Sequence, residues 1–339
     1  YADYQRENLL AAISEQAILK DNQHYAYSNF GVGLLGEAMA MFVANTPGQL
    51  ADIEEFQRSL AGAEVNVAIG MARLGFESCY ISKVGKDSFG QFIRQAISKE
   101  NIRTDWISES TNHATGFMLK SNVTDGSDPK VEYFRRNSAA STLSTVDIDS
   151  GLFKTNTHLH LTGVAAAVSM PMRDAAKHAL RLAKEQGCSV SFDTNLRPTL
   201  WPDQATMVAA INEFAFASDI VLPGIEEGKI LAGSDQPEVI ADFYLQHGVK
   251  TVIVKLGSKG AYFKTSTGES GTVAGFPVEK VVDTVGAGDS FAVGVISALL
   301  DGKTMEQAAR RGNLLGSLTV QVRGDSEGLP TRNQLIGLE

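Results

Sequence analysis

Strand-like and helix-like stretches alternate along most of this chain, and that alternation admits few architectures. AEVNVAIGMARLG (63–75) places Val65, Ile69 and Ala72 on one stripe of a helix. SCYISKVG (78–85) reads as a strand, and DSFGQFIRQAISKE (87–100) as a helix with Asp87 at its N-cap. HLHLTG (158–163) is strand-like, and Pro171 suits the first turn of a helix running to about Gln186, where Gly187 stops it. SVSFDTN (189–195), DIVLP (219–223) and KTVIVKLG (250–257) are further strands, with helices expected near 203–216 and 238–247. Strands separated by helices in this way predict an α/β fold with a mainly parallel sheet covered on both faces.

Three stretches break the alternation. GFMLKSNV (116–123) and KVEYFRRN (130–137) are strand-like and joined by the turn-rich TDGSDP, and MAMFV (39–43) has no helix pattern before Pro47-Gly48. They suit a small separate sheet. Upstream, GVGLLG (31–36) has the G-x-G-x-x-G spacing of a dinucleotide turn, with Asp52, Glu54 and Glu55 at a suitable distance for a ribose. Such a turn needs a strand before it and a long helix after it. Here AYSNF precedes it and EAMAMFVANTPG follows, broken at Pro47, so VGLLGEAMAMFV reads better as one strand through the glycines.

The 339 residues are 43% hydrophobic and 20% charged, with a net charge of −9 and no Lys/Arg block. This argues against nucleic acid or a membrane surface as the main partner. No apolar run reaches the ~20 residues that span a bilayer. The first thirty residues show no basic end followed by an apolar core, so the expected location is the cytoplasm, with Cys79 and Cys188 as buried thiols. His158 and His160 alternate on a strand without ligand-spaced carboxylates or cysteines, which favours structural roles.

The chemistry concentrates in VVDTVGAGDSFAVGVISALL (281–300). Gly286, Ala287 and Gly288 precede an apolar helix-like run, so their N–H groups sit at a helix N-terminus, which favours an anion. Asp289 stands beside that anion site. It is either a base taking a proton from an attacking hydroxyl or a helix cap above a glycine turn.

D-T-x-G-A-G-D at 283–289 resembles the signature of the PfkB (ribokinase-like) carbohydrate kinases. GAEVNVAIGMARLG (62–75) resembles the family's sugar-binding segment, and VGKDSFG (84–90) its V-G-x-D-x-F-G. FDTNLRPTLW (192–201), VEYFRRNSAA (131–140) and VQVRGDSEGLPT (320–331) are similar to the members acting on a 2-keto-3-deoxy sugar acid. The resemblance implies a ribokinase-like three-layer α/β/α domain over 32–332, with a small β-sheet lid from strands near 39–46 and 115–136. Residues 1–31 would be an N-terminal extension and 333–339 a C-terminal tail.

It also implies Mg-ATP as donor, Asp289 as base and Gly286, Ala287 and Gly288 as anion hole. Substrate roles fall on Gly62, Ala63, Asn66, Tyr133, Arg135, Arg197 and Asp325. Nucleotide roles fall on Lys255, Gly257, Gly260 and Asn313, with Asn195 near the phosphates. The family's N-x-x-E reads GIEE at 224–227, which keeps Glu227 for Mg²⁺, if only through water. Ala61 replaces the first glycine of the usual pair, and Met118 stands where some relatives have a polar or aromatic lid contact.

The residues suit a sugar acid on their own chemistry. Tyr133 and Arg135, two apart on a strand, face one side, and Arg136 the other. Arg197 leaves the end of a strand, where open α/β sheets bind ligands, and guanidinium forks match carboxylates. Asp325 is either a sugar-hydroxyl acceptor or a turn residue in RGDSEG. Fructose, 2-keto-3-deoxygalactonate and a catalytically silent sugar-binding protein are the alternatives. Exposed lid edges invite pairing into a homo-oligomer.

Overall fold

The computed structural model describes residues 31–123 and 129–338, so the extension expected over 1–31 lies outside the described residues except for Gly31. The strands are β1 (Gly31–Leu35), β2 (Met39–Pro47), β3 (Phe56–Ala61), β4 (Glu77–Gly85), β5 (Ile107–Ser110), β6 (Phe117–Asn122), β7 (Val131–Phe134), β8 (Asn156–Thr162), β9 (Ser189–Asp193), β10 (Ile220–Val221), β11 (Thr251–Lys255), β12 (Gly260–Thr265) and β13 (Ser270–Ala274). The helices are α1 (Ala63–Arg73), α2 (Ser88–Lys99), α3 (Gly163–Val168), α4 (Met170–Glu185), α5 (Gln204–Ala217), α6 (Ile225–Leu231), α7 (Pro237–Gln246), α8 (Ala287–Leu300), α9 (Met305–Thr319) and α10 (Arg332–Ile336).

The large sheet runs β13-β12-β11-β10-β9-β8-β1-β4-β5. Its pairs are parallel from β11 to β5, and β12 and β13 add an antiparallel hairpin at one edge. Side-chain alternation feeds two cores. Val252 and Val254 of β11 pack with Met172, Ala176, Ile211, Phe214, Ile240 and Tyr244 of α4, α5 and α7. Ile253 points the other way, into Val65, Ile69, Ile93, Val293, Ile296 and Leu315 of α1, α2, α8 and α9. The result is three layers. Asp87 caps α2 by accepting from the Gly90 N–H at 2.8 Å, and Pro171 sits in the first turn of α4, as their spacing predicts.

In the middle of the sheet the second face turns polar. His158 and His160 of β8 both reach the Ser191 hydroxyl of β9, at 2.7 and 2.8 Å. Burial lowers their pKa values to about 4 and about 3, so both are neutral and serve as struts. One position further along, Thr162 donates to Glu64 Oε1 at 2.5 Å. Glu64 lies in the first turn of α1 with no exposure, and burial outweighs the Thr162 hydrogen bond to raise its pKa to about 7.

The small sheet runs β3-β2-β6-β7, with β2 parallel to β6 and the outer pairs antiparallel. β3 escaped the sequence reading because FQRSLA has few apolar residues and half-buried faces. The single strand expected through VGLLGEAMAMFV is two strands in two sheets. The chain breaks at Gly36–Ala38 because Glu37 turns inward to Arg135 and Ser138, and Gly36 lies so close to Glu64 that a Cβ would meet its carboxylate at 2.1 Å. The stretch expected as a tail from 333 instead belongs to α10 as far as Ile336, with Leu335 buried.

Glu64 sets a stability test. Its folded pKa lies above the ordinary carboxyl value, so its contribution is fully present at low pH and is lost as pH rises from about 4.5 through about 7. Glu64→Gln keeps the Thr162 acceptor and has no charge to bury. It is expected to be stabilised relative to wild type at pH 8 by on the order of 1–3 kcal/mol, with little difference at pH 4.5. Urea unfolding at both pH values checks this, and a pH-independent difference rejects it.

Candidate active site

Helix α8 starts at Gly286, which is left-handed at φ 82° and so close to the neighbouring turn that a Cβ would lie 2.0 Å from the Asp325 carbonyl. No other residue fits there. The first turn of the helix, Ala287-Gly288-Asp289, thus presents its N–H end to a cavity. Gly62 does a similar job for α1: at φ 146° a Cβ would strike the Glu37 carbonyl at 2.5 Å.

Asp289 is not a cap of its own helix. Its Oδ2 accepts from Asn66 Nδ2 of α1 at 2.7 Å, and its Oδ1 from Asn195 Nδ2 at 3.3 Å. Asn195 follows β9 with φ 32°, a conformation asparagine tolerates better than most residues. Burial, with the charges of Asp193 and Asp325, raises the Asp289 pKa to about 7 against the opposing Asn66 hydrogen bond and the Arg197 charge. A carboxyl in that range can both take and give a proton near neutrality.

Lys255 ends β11 and meets Asp193, at the end of β9, at 2.6 Å. Burial disfavours its charge, but Asp193 and Glu227 outweigh that and raise the ammonium pKa. Glu227 accepts from Thr194 Oγ1 at 2.6 Å and from the Leu196 and Gly224 N–H groups, both at 2.7 Å. Its Oε1 accepts within the loop after β9 and its Oε2 ties that loop to Gly224 at the start of α6, so it stiffens both while still lining the larger cavity. Among the described residues no cluster of His, Cys, Asp and Glu could hold a metal ion.

Two cavities meet here. One, of about 320 Å³, is lined by Lys255, Gly257, Gly260, Ala287, Phe291 and Asn313, among others. The other, of about 540 Å³, is lined by Gly62, Ala63, Asn66, Tyr133, Arg135, Asn195, Arg197, Glu227, Gly286, Asp289 and Asp325. Both suit small ligands. Lys255, Thr284 and Gly288 border both, so Asp289 stands in the larger cavity just past their shared wall.

Several expectations shift in detail. Asn195 lies in the larger cavity, drawn there by its bond to Asp289, and not among the residues of the smaller one. Asn313 lines the smaller cavity while its amide holds the Val273 and Ala274 carbonyls, both at 3.1 Å. Arg135 is already paired, its Nη2 lying 2.5 Å from Glu37 Oε2, with Glu37 buried. Arg197 is exposed and donates to the adjacent Leu196 carbonyl at 2.9 Å. Asp325 is no free turn residue, since Lys120 Nζ sits 2.9 Å from its Oδ1. Arg136 is exposed and outside both cavities.

Sequence reasoning missed Asp193, Glu37, Thr284, Asp283 and Lys120. Asp193 had a signal, an acidic residue ending a strand next to Thr194-Asn195. Lys120 and Glu37 had none, because their partners are remote in sequence.

The Asp289 carboxyl is expected to titrate near pH 7 in the ligand-free protein. Asn66→Ala removes the strongest influence favouring the carboxylate and is expected to move that titration upward. Carboxyl ¹³C shifts followed from pH 4 to pH 9 check both, and a midpoint below about 5 rejects the reading.

Residues 31–332 match the model of the pfkB family carbohydrate kinases. A 2-dehydro-3-deoxygluconokinase from Bacillus subtilis (strain 168) is 51% identical over 301 residues, covering 88% of this chain and 92% of the relative. Among solved structures, a PfkB protein from Polaromonas sp. JS666 superposes with a TM-score of 0.84 at 48% identity, covering 91% of this chain and 99% of that one. A putative ribokinase II from E. coli, solved in complex with ATP and Mg²⁺, gives a TM-score of 0.83 at 30% identity, with 91% and 98% covered.

Proposed function

The chain belongs to the pfkB family of carbohydrate kinases, and from that premise we propose that it transfers the γ-phosphoryl group of ATP to the terminal hydroxyl of 2-keto-3-deoxygluconate. The observation that carries the reading is the pair of cavities joined at Gly288, with a near-neutral carboxyl, Asp289, on the acceptor side of the junction. The choice of sugar is supported by the 51% identity to the Bacillus subtilis enzyme across most of both chains.

Asp289 takes the proton of the sugar hydroxyl as its oxygen attacks the γ-phosphorus, and the bond to the bridging oxygen breaks to release ADP. Asn66 and Asn195 hold the carboxylate in place for this. The N–H groups at 286–288 face the charge developing on the transferred group. Lys255 lies at the same wall and offers a fixed positive charge to the phosphates. Mg²⁺, entering with the nucleotide, would neutralise phosphate charge, with Asp193 and Glu227 reaching it through water; hard cations of this kind keep several waters. Arg197 and the uncommitted N–H groups of Arg135 receive the sugar-acid carboxylate, beside Tyr133.

We place the enzyme in the cytoplasm as a homodimer. Among the described residues no helix is long and apolar enough to cross a membrane. Among the described residues, edge strands β3 and β7 of the small sheet have no partner on their outer side, and Phe134 of β7 is exposed, stacked 4.6 Å from Phe117. Sedimentation should give a dimer, and Phe134→Glu should lower the association constant at least about tenfold; a monomeric wild type rejects the assembly.

The direct test is ADP release with Mg-ATP and 2-keto-3-deoxygluconate, its C4 epimer, fructose or ribose. Release with the keto-deoxy acids and not the neutral sugars is expected. Asp289→Asn should lose about 10³-fold or more in kcat while KM values change little. Arg197→Ala should raise KM for the sugar acid about tenfold or more and leave that for ATP within about twofold. Turnover of fructose alone, or near-normal rates without Asp289, rejects the assignment.

A further inference from the structure

Lys120 lies on the lid, yet it is 2% exposed and touches the catalytic loop. On β6 it is two residues from Met118, which lines the acceptor cavity, so both share the inner face of the lid. Its Nζ sits 2.7 Å from Asp283 Oδ2 and 2.9 Å from Asp325 Oδ1. Three remote segments therefore meet at one ammonium: a lid strand, the 283–288 loop and the 323–326 turn.

Both carboxylates control the start of α8. Asp283 Oδ1 accepts from the Val285 N–H at 3.1 Å, and its Oδ2 from the Gly324 N–H at 3.4 Å. The Asp325 carbonyl presses on Gly286 so closely that no side chain fits between them. A second tie runs alongside, from Arg323 to Asn122 of the same lid strand. Remove the ammonium and two carboxylates are left sharing one buried site, where like charges repel strongly. One has to protonate, move apart or find another cation. Each of the first two outcomes disturbs the bonds that shape 285–288. Burial disfavours the charge of Lys120, but its bonds to Asp325 and Asp283 and their charges outweigh that and raise its pKa.

We propose that Lys120 is a tethered counter-cation of the anion hole: a positioning residue carried by the lid that fixes the 283–288 loop and takes the place a free monovalent cation would otherwise have to fill. It touches neither the reacting atoms nor either cavity. It acts through Asp283 and Asp325, and it makes the shape of the anion hole depend on the seating of β6. The inference rests on the kinase reading for its rate measurements and on the geometry for the rest.

The test compares wild type, Lys120→Met and Lys120→Arg in buffers whose sole monovalent cation is tetramethylammonium, then with potassium or ammonium chloride added. Wild-type ADP release with the sugar it turns over is expected to stay within about twofold throughout. Lys120→Met is expected to lose about 10²-fold in kcat, the scale of a lost anion-hole donor, with KM for ATP within a few-fold. Ammonium or potassium should restore at least about tenfold of that, saturably, because a small cation fits between the carboxylates and tetramethylammonium does not. Lys120→Arg should need less added cation than Lys120→Met.

Strong potassium activation of wild type overturns the proposal even if every variant fails to fold. So does a Lys120→Met rate within about threefold of wild type, or a folded Lys120→Met that no cation rescues. Thermal melting gives a readout that survives failure of the kinase reading: potassium should raise the Tm of Lys120→Met over tetramethylammonium and leave that of wild type unchanged. Equal responses of the two proteins reject the tethered cation, whatever sugar is or is not turned over.

Discussion

Four carboxylates, those of Asp193, Asp283, Asp289 and Asp325, are buried around the start of one helix. A site meant for a polyphosphate has to hold this negative charge without expelling its ligand. The chain solves the problem by pairing. Asp193 has Lys255, and Asp283 and Asp325 share Lys120. Asp289 alone of the four has no cation bonded to it among the described residues: its side-chain donors are the amides of Asn66 and Asn195, with only the more distant charge of Arg197 nearby. Burial is the main reason its pKa rises to about 7, the Asp193 and Asp325 charges add to it, and no ion pair among the described residues offsets it. Burial also pushes the Asp193 and Asp325 carboxyls upward, but each of those has a lysine bonded to it, which leaves Asp289 as the carboxyl of this group without an ion-pair partner among the described residues.

The large sheet makes this arrangement possible by ending its strands at one edge. Asp193 closes β9, Gly224 follows β10 at the start of α6, and Lys255 closes β11. Parallel strands bring all three to the same side, where open α/β sheets leave a crevice. The polar ladder of His158, His160, Ser191 and Thr162 lies beneath that crevice on the same face as Asp193. It replaces apolar packing under the site with groups that satisfy one another, and the neutral histidines add no further charge to a region that already holds too much of one sign.

The fold was legible because it is written locally. Hydrophobic periodicity, the Asp87 cap and the Pro171 start lie within single elements, and each was read correctly before any tertiary contact was known. The glycine turn that opens α8 was legible for the same reason, since Gly286 to Asp289 are consecutive. What remained hidden was every interaction between distant segments. Glu37 looked like one more position in a strand, and its burial against Arg135 is what splits that strand in two. Lys120 drew no reading at all, because its two carboxylate partners lie far away at 283 and 325. Period-two spacing gave the face on which Tyr133 and Arg135 lie, but no pattern in one strand reveals that another segment has already claimed the guanidinium.

On the proposed function, that prior claim divides the work between the two arginines of the larger cavity. Arg135 is locked to Glu37, which also accepts from the Ser138 hydroxyl at 2.5 Å, so the pair is close to neutral as a unit and oriented from both ends. A substrate carboxylate arriving there meets directed N–H groups but little net charge, and it competes with a buried partner that cannot leave. Arg197 is exposed and has no acidic partner among the described residues. Its charge is uncommitted, and it is therefore the one that can reward a negative ligand over a neutral one. Orientation comes from the paired arginine and charge selection from the unpaired one. On the proposed function, a neutral sugar would keep the first contribution and forfeit the second, which would make any preference for an acid a property of Arg197 more than of the lid.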